Sequence, residues 1–212
     1  MNKPITMIDY GGSNLRSVQK ALEAVGADVR VTADPDEVRR AAKLVLPGVG
    51  AFGAGMAALR GRGLDAATRE VVHAGALLLG ICLGMQFLFD ASDEMGRHTG
   101  LGLIPGPVTR FPADLRAGDR PLKVPHVGWN EIDHDATHPL LAGVAPGAHA
   151  YFVHSYVCVP ADPSDVLARA DYGGPFTAIV GRGRVLGIQF HPEKSQRVGL
   201  RILSNFAVME AK

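Results

Sequence analysis

Leu77-Leu-Leu-Gly-Ile-Cys82-Leu-Gly-Met-Gln86 is an apolar run that stops at a glycine-flanked cysteine and turns at once into a helical pattern. Gly80 and Gly84 stand two positions either side of Cys82, the G-x-nucleophile-x-G spacing of a nucleophile elbow, where small residues permit a strained strand-to-helix turn. A sulfur at the first turn of a helix faces the positive end of the macrodipole and unpaired backbone N–H groups, and both favour a thiolate. The competing reading is a buried small hydrophobe, the commoner fate of a free cysteine.

On the N-terminal side of this run, short apolar stretches alternate with helical spacing. Pro4 to Ile8 reads as a strand, and Leu15, Val18, Leu22 and Val25 recur at helical intervals until Gly26. A strand over 28–32, a short helix over 35–42, a strand over 43–46 and a helix over 64–73 follow before the cysteine strand. Such alternation predicts a parallel sheet with helices on both faces. The C-terminal half reads instead as successive strands over 108–111, 124–132, 150–159, 166–170, 177–180 and 185–190, which predicts antiparallel additions and a hairpin at Gly181-Arg-Gly-Arg184. A last helix carries Val198, Ile202, Phe206 and Met209 on one face. The expected fold is α/β, a mainly parallel central sheet with antiparallel strands added in the second half, and residues 1–212 are expected to form one domain.

A second segment supplies partners for a thiolate. Gly187-Ile-Gln-Phe-His191-Pro-Glu193 is an apolar strand closed by His-Pro-Glu, and the proline forbids its continuation as a central strand. His191 and Glu193 then lie beyond the strand end as a candidate base and its orienter, the division of roles in a catalytic triad. Taken alone, His191 is as readily a satisfied structural residue. Gly48-Val-Gly50-Ala-Phe-Gly53 matches G-x-G-x-x-G, but it follows the third strand, and about 20 residues on, near Glu70, lies a helix rather than a strand end. It reads as an oxyanion loop, with a flexible turn leading into a helix as the alternative.

The pair Gly-Ile-Cys82-Leu-Gly-Met-Gln and Gln-Phe-His191-Pro-Glu193 resembles the signature of the class I (triad-type) glutamine amidotransferases. Five further segments, Ile8 to Val18, Leu46 to Phe52, Val124 to Asn130, Phe152 to Tyr156 and His191 to Gln196, resemble the glutaminase subunits of imidazole glycerol phosphate synthases within that family. Ser13 stands where the first of these motifs usually has a second glycine. The resemblance implies hydrolysis of glutamine to glutamate and ammonia through a Cys82 thioester, with His191 and Glu193 completing the triad and no metal or organic cofactor. It implies an oxyanion site made of the Leu83 N–H and the Val49 N–H, the latter on a peptide that flips. Gly48, Gly50, Gln86, Ser155 and Tyr156 match substrate-binding positions. Asn14, Trp129 and Lys194 match the interface with the partner, a (β/α)₈-barrel cyclase subunit that receives the ammonia in histidine biosynthesis, the two forming a heterodimer. For Trp129 the plain alternative is core packing, and for Gln86 a solvated helical position.

Composition agrees with this without leading to it. The 212 residues are 47% hydrophobic with a net charge of +1, which offers no basic surface for nucleic acid or membrane. Cys82 and Cys158 sit in different contexts and do not suggest a disulfide, so a reducing cytoplasm is expected, with Cys158 simply buried. No leader-like apolar stretch follows Met1, and no run reaches the length of a membrane span. Asp133-His-Asp-Ala-Thr-His138 contains ligand-type residues but reads as a solvated loop rather than a metal site. Two rival readings remain open on residues alone: another cysteine-triad hydrolase or amidotransferase of this fold, and a catalytically silent partner-binding module.

Overall fold

The computed structural model describes residues 3–12, 14–135 and 137–210. Ser13, where the first motif departs from its usual form, lies outside them. Strands Ile5–Ile8 (β1), Val29–Thr32 (β2), Lys43–Gly48 (β3) and Leu77–Cys82 (β4) are joined through helices Leu15–Ala24 (α1), Pro35–Arg39 (α2), Phe52–Gly61 (α3) and Leu64–His73 (α4). They belong to a seven-stranded sheet in which Val185–Ile188, β4, β3, β1 and β2 run parallel in that order. Strands Pro175–Arg182 and Val166–Asp171 extend it antiparallel beyond Val185–Ile188.

The near-continuous apolar runs follow from burial on both faces. Successive residues of a strand point to opposite sides, so Leu77 and Leu79 enter one core while Leu78 enters the other. The first core is closed by Val18 and Leu22 of α1 with Ile202 and Phe206 of the last helix, and the second by Val38, Met56, Leu59 and Val71 of α2, α3 and α4. Helix α5 (Leu83–Phe87) begins directly at the end of β4, and α6 (Gln196–Val208) follows a 3-10 turn, Pro192–Lys194.

Two expectations need correction, and one helix has no range assigned from sequence. Helix α3 was not delimited because Gly53, Gly55 and Gly61 lower its local propensity. The packing of Phe52, Met56 and Leu59 into the second core, and the carboxylate of Glu94, which accepts from the Phe52 N–H at 2.6 Å, hold it nonetheless. The single strand expected over 150–159 is two strands in different sheets, Ala148–His154 beside His126–Ile132 and Tyr156–Cys158 beside Ile104–Arg110, broken at Ser155. The expected helix over 35–42 is shorter, ending at Arg39.

Candidate active site

The chain leaves β4 at Cys82 with φ 55° and ψ −114°, a left-handed conformation that a residue with a Cβ occupies only under constraint. The constraint is steric. A Cβ on Gly80 would lie 2.5 Å from the Gly84 carbonyl oxygen, and one on Gly48 would lie 2.7 Å from the Gly84 nitrogen. Those glycines let β4, α5 and the end of β3 approach more closely than any side chain would allow, and Gly48 sits opposite Cys82 in the β3–β4 register. Cys82 is 7% exposed. The Leu83 N–H that follows is in the first turn of α5, where backbone donors have no intrahelical acceptor.

His191 arrives from the neighbouring strand, Val185–Ile188, which pairs parallel with β4. Its ring Nδ1 is 2.9 Å from Glu193 Oε1, with the two side chains 9% and 3% exposed. The turn that carries them is pinned at both ends. The His191 N–H donates to the Tyr151 carbonyl at 2.9 Å, and the Ser195 hydroxyl donates to the His191 carbonyl at 2.7 Å while accepting from the Tyr151 N–H. Burial alone would lower the His191 imidazole, but hydrogen bonds and charge from Cys82 and Glu193 outweigh it and lift the group to about 10. An imidazolium beside the sulfur is the form in which it stabilises a thiolate. Gln189, two residues earlier and fully buried, directs its Nε2 at the Cys82 sulfur from 3.9 Å.

The loop after β3 begins beside Cys82, which Gly48 faces in the strand register. Gly50 has φ +94°, which glycine alone adopts without strain, and Val49 is 40% exposed. Beneath it Tyr10 is buried, and burial pushes its phenol up to about 12, with a lowering from the neighbouring Val49 N–H and a further rise from Cys82. The hydroxyl forms no well-aligned hydrogen bond. The loop also leads straight into α3, so both readings of the glycine-rich stretch describe part of it.

The remaining predicted positions separate into two groups. Gln86 is 5% exposed rather than solvated, and its Nε2 donates to Gln189 Oε1 at 3.2 Å and to the Tyr156 carbonyl at 3.5 Å. Ser155 and Tyr156 are half-buried at the corner between two sheets, and the Cys82 sulfur lies 4.0 Å from the Val153 carbonyl of the strand that leads to that corner. Trp129 is 47% exposed, edge-on to Tyr151 at 5.8 Å, and Lys194 Nζ lies 5.6 Å above the same ring. Trp129 is therefore a surface residue, not a core one. Asn14 is exposed at the start of α1, its Oδ1 accepting from the Ser17 hydroxyl at 3.0 Å. Both cysteines are free, and burial drives the Cys158 thiol well upward. Among the described residues no cluster of His, Cys, Asp or Glu is arranged to hold a metal, and Asp135 and His138 accept from the local Thr137 and Leu140 N–H groups.

Gln189, Ser195 and the buried pair His126 and His154 were not singled out from sequence. Gln189 had a signal: it shares the period-2 face of His191 in an otherwise apolar run. His126 Nδ1 lies 3.1 Å from His154 Nε2, and His154 Nδ1 lies 2.9 Å from the Tyr156 carbonyl. Burial holds the two imidazoles down to about 4 and about 3. Folded, both stay neutral near pH 7, whereas the unfolded chain protonates them near 6.5 and so binds more protons between there and about 4. Their contribution to stability is whole above pH 6.5 and declines as pH falls. His126→Phe should flatten the fall in melting temperature between about pH 7 and 4; a slope equal to that of the parent chain would contradict this.

Comparison with known proteins agrees with the geometry. The family profile described as glutamine amidotransferase class-I matches residues 6–209. A protein of Syntrophotalea carbinolica named imidazole glycerol phosphate synthase subunit HisH is 54% identical over 205 residues, covering 97% of this chain and 100% of that protein. One of the same name from Moorella thermoacetica is 49% identical, covering 96% and 94%. The fold matches a structure titled "Structure of PurLQS from Thermotoga maritima" with a TM-score of 0.75 at 20% identity, over 98% of both chains. A structure titled "Crystal structure of glutamine amidotransferase" matches with a TM-score of 0.74 at 20% identity, over 96% of this chain and 99% of that one. A cysteine held at positive φ beside a buried His–Glu pair, and a profile spanning nearly the whole chain, lead to one statement: this chain belongs to the class I glutamine amidotransferase family.

Proposed function

We propose that this chain is the glutaminase subunit of an imidazole glycerol phosphate synthase, acting as one domain that hydrolyses glutamine to glutamate and ammonia and passes the ammonia to a cyclase subunit. The observation that carries the reading is the Cys82 elbow facing His191, whose Nδ1 is 2.9 Å from Glu193. The near full-length likeness to proteins named HisH supports the pathway.

In this reading the Cys82 thiolate, paired with the His191 imidazolium, attacks the carboxamide carbon of glutamine. The negative oxygen that forms is met by the Leu83 N–H and by the Val49 N–H, each such donor lowering the barrier by about 3 kcal/mol. His191 is raised chiefly by its partners at Cys82 and Glu193 against burial. Once sulfur is committed to carbon the thiolate charge is gone, so the imidazolium becomes a stronger acid when the leaving ammonia needs its proton. The neutral imidazole then takes a proton from water, which attacks the thioester, releases glutamate and restores the thiolate. Glu193 keeps the ring oriented throughout. Gln86 has committed both amide protons to Gln189 and Tyr156, so what it offers a substrate is its carbonyl oxygen, an acceptor for the α-ammonium group. Ser155 and Tyr156 border the same site, with Gly48 and Gly50 across the loop.

The Val49 N–H beside the Tyr10 hydroxyl supports a resting loop that withholds this donor until the partner binds. Trp129 and Lys194, meeting on Tyr151, are the positions we assign to the cyclase interface together with Asn14. The test is ammonia release from glutamine by the purified chain, alone and with the cyclase barrel and its nucleotide ligand. Low activity alone that rises at least tenfold in the loaded complex is expected, a coupling of about 1.4 kcal/mol or more. Strong activity unchanged by the partner would point to a free hydrolase or another amidotransferase, and none under any condition to a silent module.

A further inference from the structure

Gln189 is fully buried between two large apolar neighbours, Ile188 and Phe190, and the reaction as described gives it nothing to do. Its surroundings leave it one orientation. The Tyr156 carbonyl can only accept, so His154 Nδ1, 2.9 Å away, carries the proton. With His154 neutral, its Nε2 accepts from His126 Nδ1 at 3.1 Å. The same Tyr156 carbonyl accepts from Gln86 Nε2, whose other proton goes to Gln189 Oε1 at 3.2 Å. Turning the Gln86 amide over would set its oxygen against the Tyr156 carbonyl, a backbone group that can only accept. Gln86 is thereby fixed, Gln189 Oε1 is fixed by it, and the opposite end of the Gln189 amide, a donor, faces the Cys82 sulfur at 3.9 Å.

We propose that Gln189 is a fourth catalytic residue, a donor to the nucleophilic sulfur that favours its thiolate form, with Gln86, the Tyr156 carbonyl and the His154–His126 pair as the positioning residues that aim it. This rests on Cys82 as the nucleophile. A donor aimed at a group that becomes charged stabilises the charged form selectively. The network also ties the nucleophile to the corner at Ser155 and Tyr156, where the substrate's amino-acid end is read. A shift of that corner would therefore reach the sulfur through three hydrogen bonds.

The test needs no glutamine. The full chain is treated with iodoacetamide across a pH series, and modification is followed on the peptide containing Cys82, so that buried Cys158 does not contribute. Gln189→Met removes the donor at similar volume, and Gln189→Glu replaces it with a second negative charge. The other titratable groups that act on the site or on its network, His191, Glu193, Tyr10, Cys158, His154 and His126, are unchanged in both. Gln189→Met should move the acid-side half-point of alkylation upward by about half to one pH unit, a roughly three- to tenfold slower reaction below it, and Gln189→Glu further. In turnover, kcat should fall by about the same factor with KM for glutamine within about twofold. Folded variants that alkylate along the parent curve would overturn the proposal. If Gln189→Met does not fold, Gln189→Glu and Gln86→Met decide in its place, and parent-like curves in both overturn it. Absent ammonia release with a shifted alkylation curve would instead count against the glutaminase reading alone.

Discussion

Cys82→Ala should lower glutamine hydrolysis by about 10⁴-fold or more while leaving the melting temperature close to that of the parent chain. Loss of the nucleophile leaves Leu83 and the loop donors able to bind a carbonyl oxygen but with nothing to attack the carbon. The effect is not shared out, because residues of a triad act as a unit, and His191→Asn should cost nearly as much on its own. Folding should tolerate the change because alanine occupies φ 55° about as well as cysteine, and the methyl fills most of the same 7% exposed site. The measurement is ammonia release in the complex that gives the highest parent rate, paired with a thermal melt. Residual activity above about one hundredth of the parent would rule out Cys82 as the nucleophile.

Gly84→Ala should be among the most damaging single-methyl additions in the chain. Helical propensity alone predicts the opposite sign, since alanine is favoured over glycine in a helix by about 1 kcal/mol. At Gly84, however, the new Cβ would fall on the Leu46 carbonyl oxygen, backbone that cannot turn aside, and 3.3 Å from the Pro47 carbonyl carbon. Overpacking of this kind costs about 3 kcal/mol, so the steric term decides. The first turn of α5 would have to retreat from β3, taking the Leu83 N–H and Cys82 with it, and activity should fall at least tenfold in whatever fraction folds. Gly61→Ala is the internal comparison. Gly61 ends α3 with open space around its missing side chain, and there propensity should prevail and stabilise slightly. Chemical denaturation of the three proteins gives both signs, and equal stability of Gly84→Ala and the parent would refute the close packing of the elbow.

Cys82, His191 and Glu193, the proposed nucleophile, base and orienter, were legible because their signals are local. Glycine spacing around Cys82, and a proline between His191 and Glu193, dictate turns within a few residues. The parallel sheet was legible for the same reason, through apolar runs that feed alternate residues into two cores. Helix α3 was not legible, since its three glycines argue against a helix that packing and the distant Glu94 carboxylate then hold. The break at Ser155 was equally hidden. Both flanking stretches are good strands, and only the competition between the strand at His126–Ile132 and the one at Ile104–Arg110 for pairing partners divides them.

By itself, then, the sequence determined the chemistry available: a strained cysteine, a histidine and carboxylate two residues apart, an apolar pattern that demands burial on both faces, and the family. Tertiary structure decided how these meet. The run ending at His191 reads as one arm of an antiparallel hairpin, and so it is on one side, against Pro175–Arg182. On its other side it pairs parallel with β4, Ile188 beside Ile81, and that single adjacency delivers His191 to Cys82 across more than a hundred residues of chain. Strand pairing between segments so far apart is set by which edge remains unsatisfied once the rest of the sheet has formed, a property of the assembled backbone that no local pattern encodes. The orientation of the Gln189 amide belongs to the same class, since it follows from hydrogen bonds contributed by residues 86, 126, 154 and 156.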